Sequence, residues 1–188
     1  MQNISKLLLG TLFVLALPAC NRDAEPNQAP ATAAPEPADI VVAPSLVPAA
    51  AGITTLDTQQ LSTITTTKAP CQLDFVAKQA VAAQPAKLTV GQKAVFQGWI
   101  GNPGLQPPDA FAIVLDGAQS YAFRGTAGAD RPDVAKVLKA DGMAKSGYNV
   151  EVKLDGVEPG EYGVSFIQDT SSGTIRCLTP AKVVLSAS

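Results

Sequence analysis

Residues 21–70 contain seven prolines, eleven alanines, eight threonines and no aromatic residue. Such a stretch cannot bury enough apolar surface to offset the entropy lost on ordering it. It reads as a disordered tether, which leaves the packed core to residues 71–188. Within the tether, the Pro/Ala composition of residues 26–51 predicts an extended, semi-rigid spacer. In residues 54–67 the apolar side chains of Leu56, Leu61 and Ile64 allow a marginal helix or an added strand.

Beyond residue 70, strand signals recur at short spacing. Residues 73–76 are the first. Residues 94–100 then alternate, with Val95, Gln97 and Trp99 on one face and Phe96, Gly98 and Ile100 on the other. Residues 111–115 form a continuous apolar run with the look of a fully buried strand. Asp116-Gly117 separates it from Tyr121-Ala122-Phe123 and predicts a type I′ hairpin, whose two central residues need φ > 0. Val150, Val152 and Leu154 alternate with Glu151 and Lys153. Tyr162, Val164 and Phe166 alternate after a Pro159-Gly160 turn. Ser171-Ser172-Gly173 turns the chain into residues 174–178, and residues 182–185 end the series.

One short helix interrupts the strands. Asp130 is placed to cap it, Pro132 suits its first turn, and Asp133 favours the positive end of its dipole. Val134, Val137 and Leu138 share a face, and Gly142 is a fitting stop. About eight short strands with close turns predict an all-β fold, an antiparallel Ig-like β-sandwich with one short helix.

Composition removes several chemistries. The chain has no histidine, which excludes Ser-His-Asp and Cys-His catalysis and any His-ligated metal. A net charge of −2 leaves no basic footprint for nucleic acid. No G-x-S-x-G, S-x-x-K, G-x-G-x-x-G or Walker motif occurs. Asp109, Asp116, Asp130, Asp133 and Asp141 lack the D-x-D-x-D-G spacing of a calcium loop. Nothing singles out a carboxylate pair for glycoside hydrolysis, and aromatic residues are few. The expectation is no enzyme, no metal and no cofactor.

The N-terminus supplies an address. Lys6 precedes an 11-residue apolar run, residues 7–17. A spanning helix needs about 20 such residues, so the run fits the core of an export signal. It ends in Leu17-Pro18-Ala19-Cys20, which resembles the bacterial lipobox: leucine at −3, a small residue at −1 and cysteine at +1. Pro18 stands where that motif usually has a small or aliphatic residue. The resemblance implies a signal peptide over residues 1–19 and acylation of Cys20. It also implies attachment to a membrane through several acyl chains, each contributing about 0.8 kcal/mol per buried CH₂. Asn21 in place of Asp implies, by the same resemblance, sorting to the outer membrane facing the periplasm. The alternative is an ordinary secretory signal with an incidental cysteine. With Cys20 acylated, Cys71 and Cys177 are the two thiols left in an oxidising compartment, and an even pair there reads as a disulfide.

A second resemblance lies in the order of six short motifs. They are Gly98-Trp99, Asn102-Pro103, Val114-Leu115-Asp116-Gly117, Arg131-Pro132-Asp133-Val134, Gly147-Tyr148 and Pro159-Gly160-Glu161-Tyr162. Together, over residues 94 to 178, they resemble a β-sandwich module of secreted bacterial proteins. Members carry a Gly-Trp-Ala-x-Asp-Pro stretch, a V-D-G turn, an R-P-D-V helix start, a Gly-Phe pair and a Pro-Gly-x-His or Pro-Gly-x-Tyr turn. This chain departs from the pattern at Ile100, Asn102, Leu115 and Tyr148. The resemblance implies an accessory surface module and brings no reaction or ligand with it.

Trp99, Asn102, Leu105 and Arg131 form the candidate binding surface. Trp99 is the only tryptophan and can stack on a sugar or fill core. Arg131, between Asp130 and Asp133, is either a ligand clamp or a tie between the short helix and a loop. The Gly/Pro-rich stretch 98–108 presents Leu105 and Pro107-Pro108, as a recognition loop or a long connection. The expected function is that of a non-enzymatic envelope lipoprotein, held to the membrane by its lipid and serving as a subunit or accessory factor of a cell-envelope assembly. The alternatives are a periplasmic inhibitor or immunity lipoprotein that binds a secreted hydrolase, and a glycan-binding module.

Overall fold

Every residue of the 111–115 run is buried, as in a strand covered on both faces. The rest of the fold explains what covers it. The computed structural model describes residues 45–187, which lie in one compact unit. The expected signal peptide, Cys20 and the expected tether as far as residue 44 lie outside the described residues.

In chain order the elements are β1 (Ile53–Leu56), α1 (Thr58–Thr63), β2 (Thr65–Thr66), β3 (Cys71–Val76), β4 (Gln79–Ala80), β5 (Ala86–Thr89) and β6 (Lys93–Ile100). After these come β7 (Phe111–Asp116), β8 (Ser120–Gly125), α2 (Pro132–Leu138), a 3₁₀ helix (Asp141–Lys145), β9 (Gly147–Lys153), β10 (Gly160–Thr170) and β11 (Gly173–Ser186). The larger sheet runs β1-β8-β7-β10-β11-β2, with β5 alongside the far half of β11. The smaller runs β4-β3-β6-β9. Pairing is antiparallel except where β2 and β5 lie parallel to β11. The two stretches expected at 174–178 and 182–185 are one continuous strand, β11.

The two sheets pack as an all-β sandwich. Leu73, Phe96 and Ile100 from the smaller sheet meet Phe111, Ile113, Phe123 and Phe166 from the larger. The alternation in β6 turns Phe96, Gly98 and Ile100 inward, as the sequence pattern predicts. Tilted aromatic pairs cross the interface: Phe96 with Phe123 at 4.9 Å and Phe111 with Tyr148 at 5.1 Å between centroids. Cys71 on β3 is disulfide-bonded to Cys177 on β11, with a Cα–Cα distance of 6.4 Å, so the bridge joins the sheets.

Ordered structure starts well before residue 71. β1 extends the larger sheet at β8, and β2 pairs with β11 on its far side. Between them α1 carries the chain over the sheet's outer face. Asp57 caps α1 by accepting from the Gln59 N–H at 2.7 Å. Val47, Leu56 and Leu61 are buried against Ala112, Val114, Ala122 and Ile167. Alone, this stretch carries too little apolar surface to order itself. Three apolar side chains suffice when a preformed sheet supplies the other half of each contact. Both structures allowed by Leu56 and Leu61 are realised, one on a strand and one in a helix.

Three local expectations are corrected. Pro132 does open α2, but the cap residue is Arg131, without a side-chain capping bond. Asp130 instead pairs with Lys145 at 2.7 Å. The helix stops at Lys139, in the left-handed region at φ 53°, and Gly142 falls inside the 3₁₀ helix. At the β7–β8 hairpin, Gly117 is not among the glycines with positive φ, so the turn is not type I′. Glycine is needed there for space: a Cβ would lie 2.7 Å from the Tyr162 ring.

Candidate functional site

The motif residues interlock as scaffold. On the inner face, Tyr148 passes over Gly98 and its hydroxyl donates to the Gln72 carbonyl at 2.9 Å. A Cβ on Gly98 would sit 2.1 Å from that carbonyl and 2.5 Å from the hydroxyl. Burial, then the negative charge of Asp74, holds the Tyr148 hydroxyl well above the usual phenol range. On the outer face, a Cβ on Gly147 would lie 2.8 Å from the Arg131 stem. The Arg131 guanidinium donates to Asp74 at 2.8 Å and to Asp133 at 2.9 and 3.0 Å. These bonds, Asp133 first, raise the Arg131 pKa, and Arg131 in turn lowers that of Asp133. Arg131 therefore ties α2 to strand β3, a contact between residues 57 apart.

The four candidate binding residues fall in two places. Trp99 is half-buried on the outer face of the smaller sheet, in a small cluster with Val134, Ala135 and Met143. Leu105 turns into the same cluster, its backbone in the left-handed region at φ 56°. Trp99 and Arg131 share a shallow hollow with Val137 and Leu138. Asn102 alone belongs to the main cleft.

That cleft, about 660 Å³, opens at one end of the sandwich. Its first wall is the 101–110 connection. Gly101, Pro103, Gly104, Pro107 and Pro108 interrupt any strand ladder there. Asn102 folds the connection into a turn by accepting, through Oδ1, from the Gly104 N–H at 2.8 Å and the Gln106 N–H at 3.1 Å. The second wall is the β10–β11 hairpin tip, residues 169–172. Thr174 fastens it by donating to Asp169 at 2.7 Å. The third wall is the start of the covering segment, Ser45 and Val47. Ser45 bonds Asp169, and Arg124 donates to the Pro48 carbonyl at 3.0 Å.

Gln168 also lines the cleft and is 1% exposed. Its Nε2 donates to the Gly101 carbonyl at 3.0 Å, fixing the base of the loop. Among the described residues no donor reaches its Oε1, which is itself buried. Asp109, Asp169 and Arg124 are the charged residues of the lining, and no aromatic side chain contributes to it.

Sequence reasoning missed Gln168, Asp169, Arg124 and Ser45, and weighed Asp109 only as a calcium ligand. One signal was present. Gln168 continues the inward phase of Tyr162, Val164 and Phe166, and a polar side chain in a buried phase marks a place where something else must be satisfied.

Fold and cleft together define a class: an all-β sandwich domain with a mixed-charge cleft between a proline-rich loop, a hairpin tip and its own N-terminal strap. Among the described residues no group of three or more His, Cys, Asp or Glu gathers as a metal site, and no helix is long and apolar enough to cross a membrane. Compared with family models, curated proteins and solved structures, the chain has no match.

Proposed function

We propose that this chain is a lipid-anchored cell-envelope protein. Its sandwich binds a partner without chemistry, as a subunit or accessory factor of an envelope assembly. The anchoring rests on the lipobox-like Leu17-Pro18-Ala19-Cys20, and the Cys71–Cys177 bridge suits an oxidising compartment. The observation that carries the reading is the continuity of anchor and cleft. Ser45 and Val47, at the start of the described chain, form one wall of the cleft, so the cleft end of the domain is also its tethered end. Twenty-four residues separate Cys20 from Ser45. At about 3.5 Å per residue they reach at most about 85 Å from the membrane.

The test is a crosslinked pull-down of the full chain from intact cells, with and without Cys20→Ser. Recovery of one envelope assembly by the native chain, lost with the variant, supports the reading. Equal recovery of a single secreted enzyme by both chains replaces it with an inhibitor. Cys20→Ser also moves the protein from the membrane to the soluble fraction. Unchanged fractionation, with the signal segment shown to be cleaved, overturns the anchor.

A further inference from the structure

Taking the chain as anchored at its N-terminus, we infer that the strap, residues 45–70, is a stored length of tether. Load on the anchor peels it from the sandwich and about doubles the reach, and the Cys71–Cys177 bridge is the stop.

The strap doubles back on itself. It starts where Ser45 bonds Asp169 and ends where the Pro70 carbonyl accepts from the Gly101 N–H at 2.8 Å. Gly101 is tied in turn to Gln168, the neighbour of Asp169. Both ends therefore lie at the cleft end of the sandwich. Between them the chain runs out along β8 and returns to β11. A folded segment whose ends meet keeps nearly all of its contour in reserve. Its 26 residues extend to about 90 Å at about 3.5 Å each, which matches the reach of the residues between Cys20 and Ser45.

Anchor, strap, bridge and sandwich lie in series, so load meets the strap first. It is also the weakest of them. Four of its residues, Val47, Leu56, Leu61 and Ala69, are buried and 16 are exposed. It pairs through four residues with β8 and two with β11. Segments with so few buried contacts open at free energies well below that of the whole domain. The sandwich does not depend on it, since no buried member of the core between the sheets precedes Leu73. Opening uncovers Ala112, Val114, Ala122 and Ile167, a patch apolar enough to draw the strap back when load falls. The bridge sets the limit. Cys71 directly follows the strap and passes load covalently to β11, whose register with β10 runs from Gly173 to Leu185.

The experiment stretches the unacylated full chain in an optical trap. One handle is on the Cys20 thiol, free when Cys71 and Cys177 are bridged. The other is on Lys153→p-azidophenylalanine, at an exposed site on β9. The expected record is a discrete lengthening of about 60–90 Å, at a force well below that which opens the sandwich and reversed when load is relaxed. Leu61→Ala should move that step to lower force and leave its length unchanged. Cys71→Ser with Cys177→Ser should let the lengthening run on into β3. If that double variant misfolds, Leu61→Ala keeps the inference falsifiable. A single event that takes strap and sandwich together, or an unmoved step in Leu61→Ala, overturns the stored length. An unchanged step length without the bridge overturns the stop. An absent step beside release of Cys20→Ser from membranes removes only the stored length. A step without such release shows a detachable strap and overturns the anchor that would load it.

Discussion

The two outer faces of the sandwich are built on opposite plans. On the larger sheet the outer face carries an apolar patch, Ala112, Val114, Ala122 and Ile167, sealed by Val47, Leu56 and Leu61, beside an Asp116–Ser165–Arg176 group. On the smaller sheet, away from the Trp99 end that α2 covers, it is polar and open. Gln97 donates to Asn149 at 2.7 Å, Lys93 pairs with Glu151 at 3.0 Å, and Phe75 stands 45% exposed among them. The strands record the difference. β6 and β9 alternate, as a half-solvated antiparallel sheet requires. β7 does not alternate, because both of its faces are dry. An unbroken apolar run in an antiparallel sheet thus reports a cover as well as a strand, and here the cover is the chain's own strap.

The disulfide belongs to both plans, since it joins β3 to β11 directly after the strap. Its removal should produce the largest effect. Closing a loop across a sequence separation of 106 residues contributes about 4–5 kcal/mol on the chain-entropy model. The Cys71→Ser, Cys177→Ser chain is expected to melt far below the native one. Coincident melting curves would show that the bridge holds nothing.

Leu61→Ala separates the two faces. Leu61 is 4% exposed and is the only buried residue of α1. Its truncation should cost about 2–4 kcal/mol. Hydrogen exchange should quicken in β1 and at the β8 edge while β9 keeps its protection. Uniform acceleration in both sheets would mean that the strap is not a separate layer.

The sequence made the smaller sheet more legible than the strap. Val150, Val152 and Leu154 announce an inner face by themselves. The strap's three anchors are scattered through a Pro/Ala/Thr-rich stretch, and their value depends on a sheet formed by residues far along the chain. The same holds for the cleft. The loop of Gly and Pro was visible, but Ser45 and Asp169, 124 residues apart, meet only through the fold. The pairing of Gly98 with Tyr148 was hidden too, since a missing Cβ gives no sign of what fills its place.

Alkali should attack the core shared by both sheets. Burial, first among the causes, raises the Tyr148 and Tyr162 hydroxyls above the usual phenol range. A group whose folded pKa exceeds its unfolded value contributes stability that is complete below the unfolded value, about 10 for tyrosine. That contribution is lost as pH rises beyond it. Denaturant midpoints should therefore fall above about pH 10. Tyr148→Phe loses its bond to the Gln72 carbonyl and about 1 kcal/mol near neutrality, but its stability should decline less in alkali. Parallel pH profiles for the two chains would remove Tyr148 from the cause.

The smallest effect is expected on the open face, and it is the sharpest test of the contrast. Phe75 lies on β3 opposite Gln97, with nearly half of its surface in water. Phe75→Ser gives up only part of a phenylalanine's burial and leaves the Gln97–Asn149 bond intact. It should change stability by about 0.5–1 kcal/mol. The equivalent insult beneath the strap, Val114→Ser, places a hydroxyl among Ala112, Ala122 and Leu61. Losing two buried methyl groups and leaving a void should make that variant cost clearly more, even though the Ser165 hydroxyl lies directly opposite on β10. Measured side by side in urea, the pair compares a face that needs a cover with one that does not. A large loss from Phe75→Ser would mean that the smaller sheet's outer face is also buried in the working protein, against a partner seated on Phe75 and Gln97.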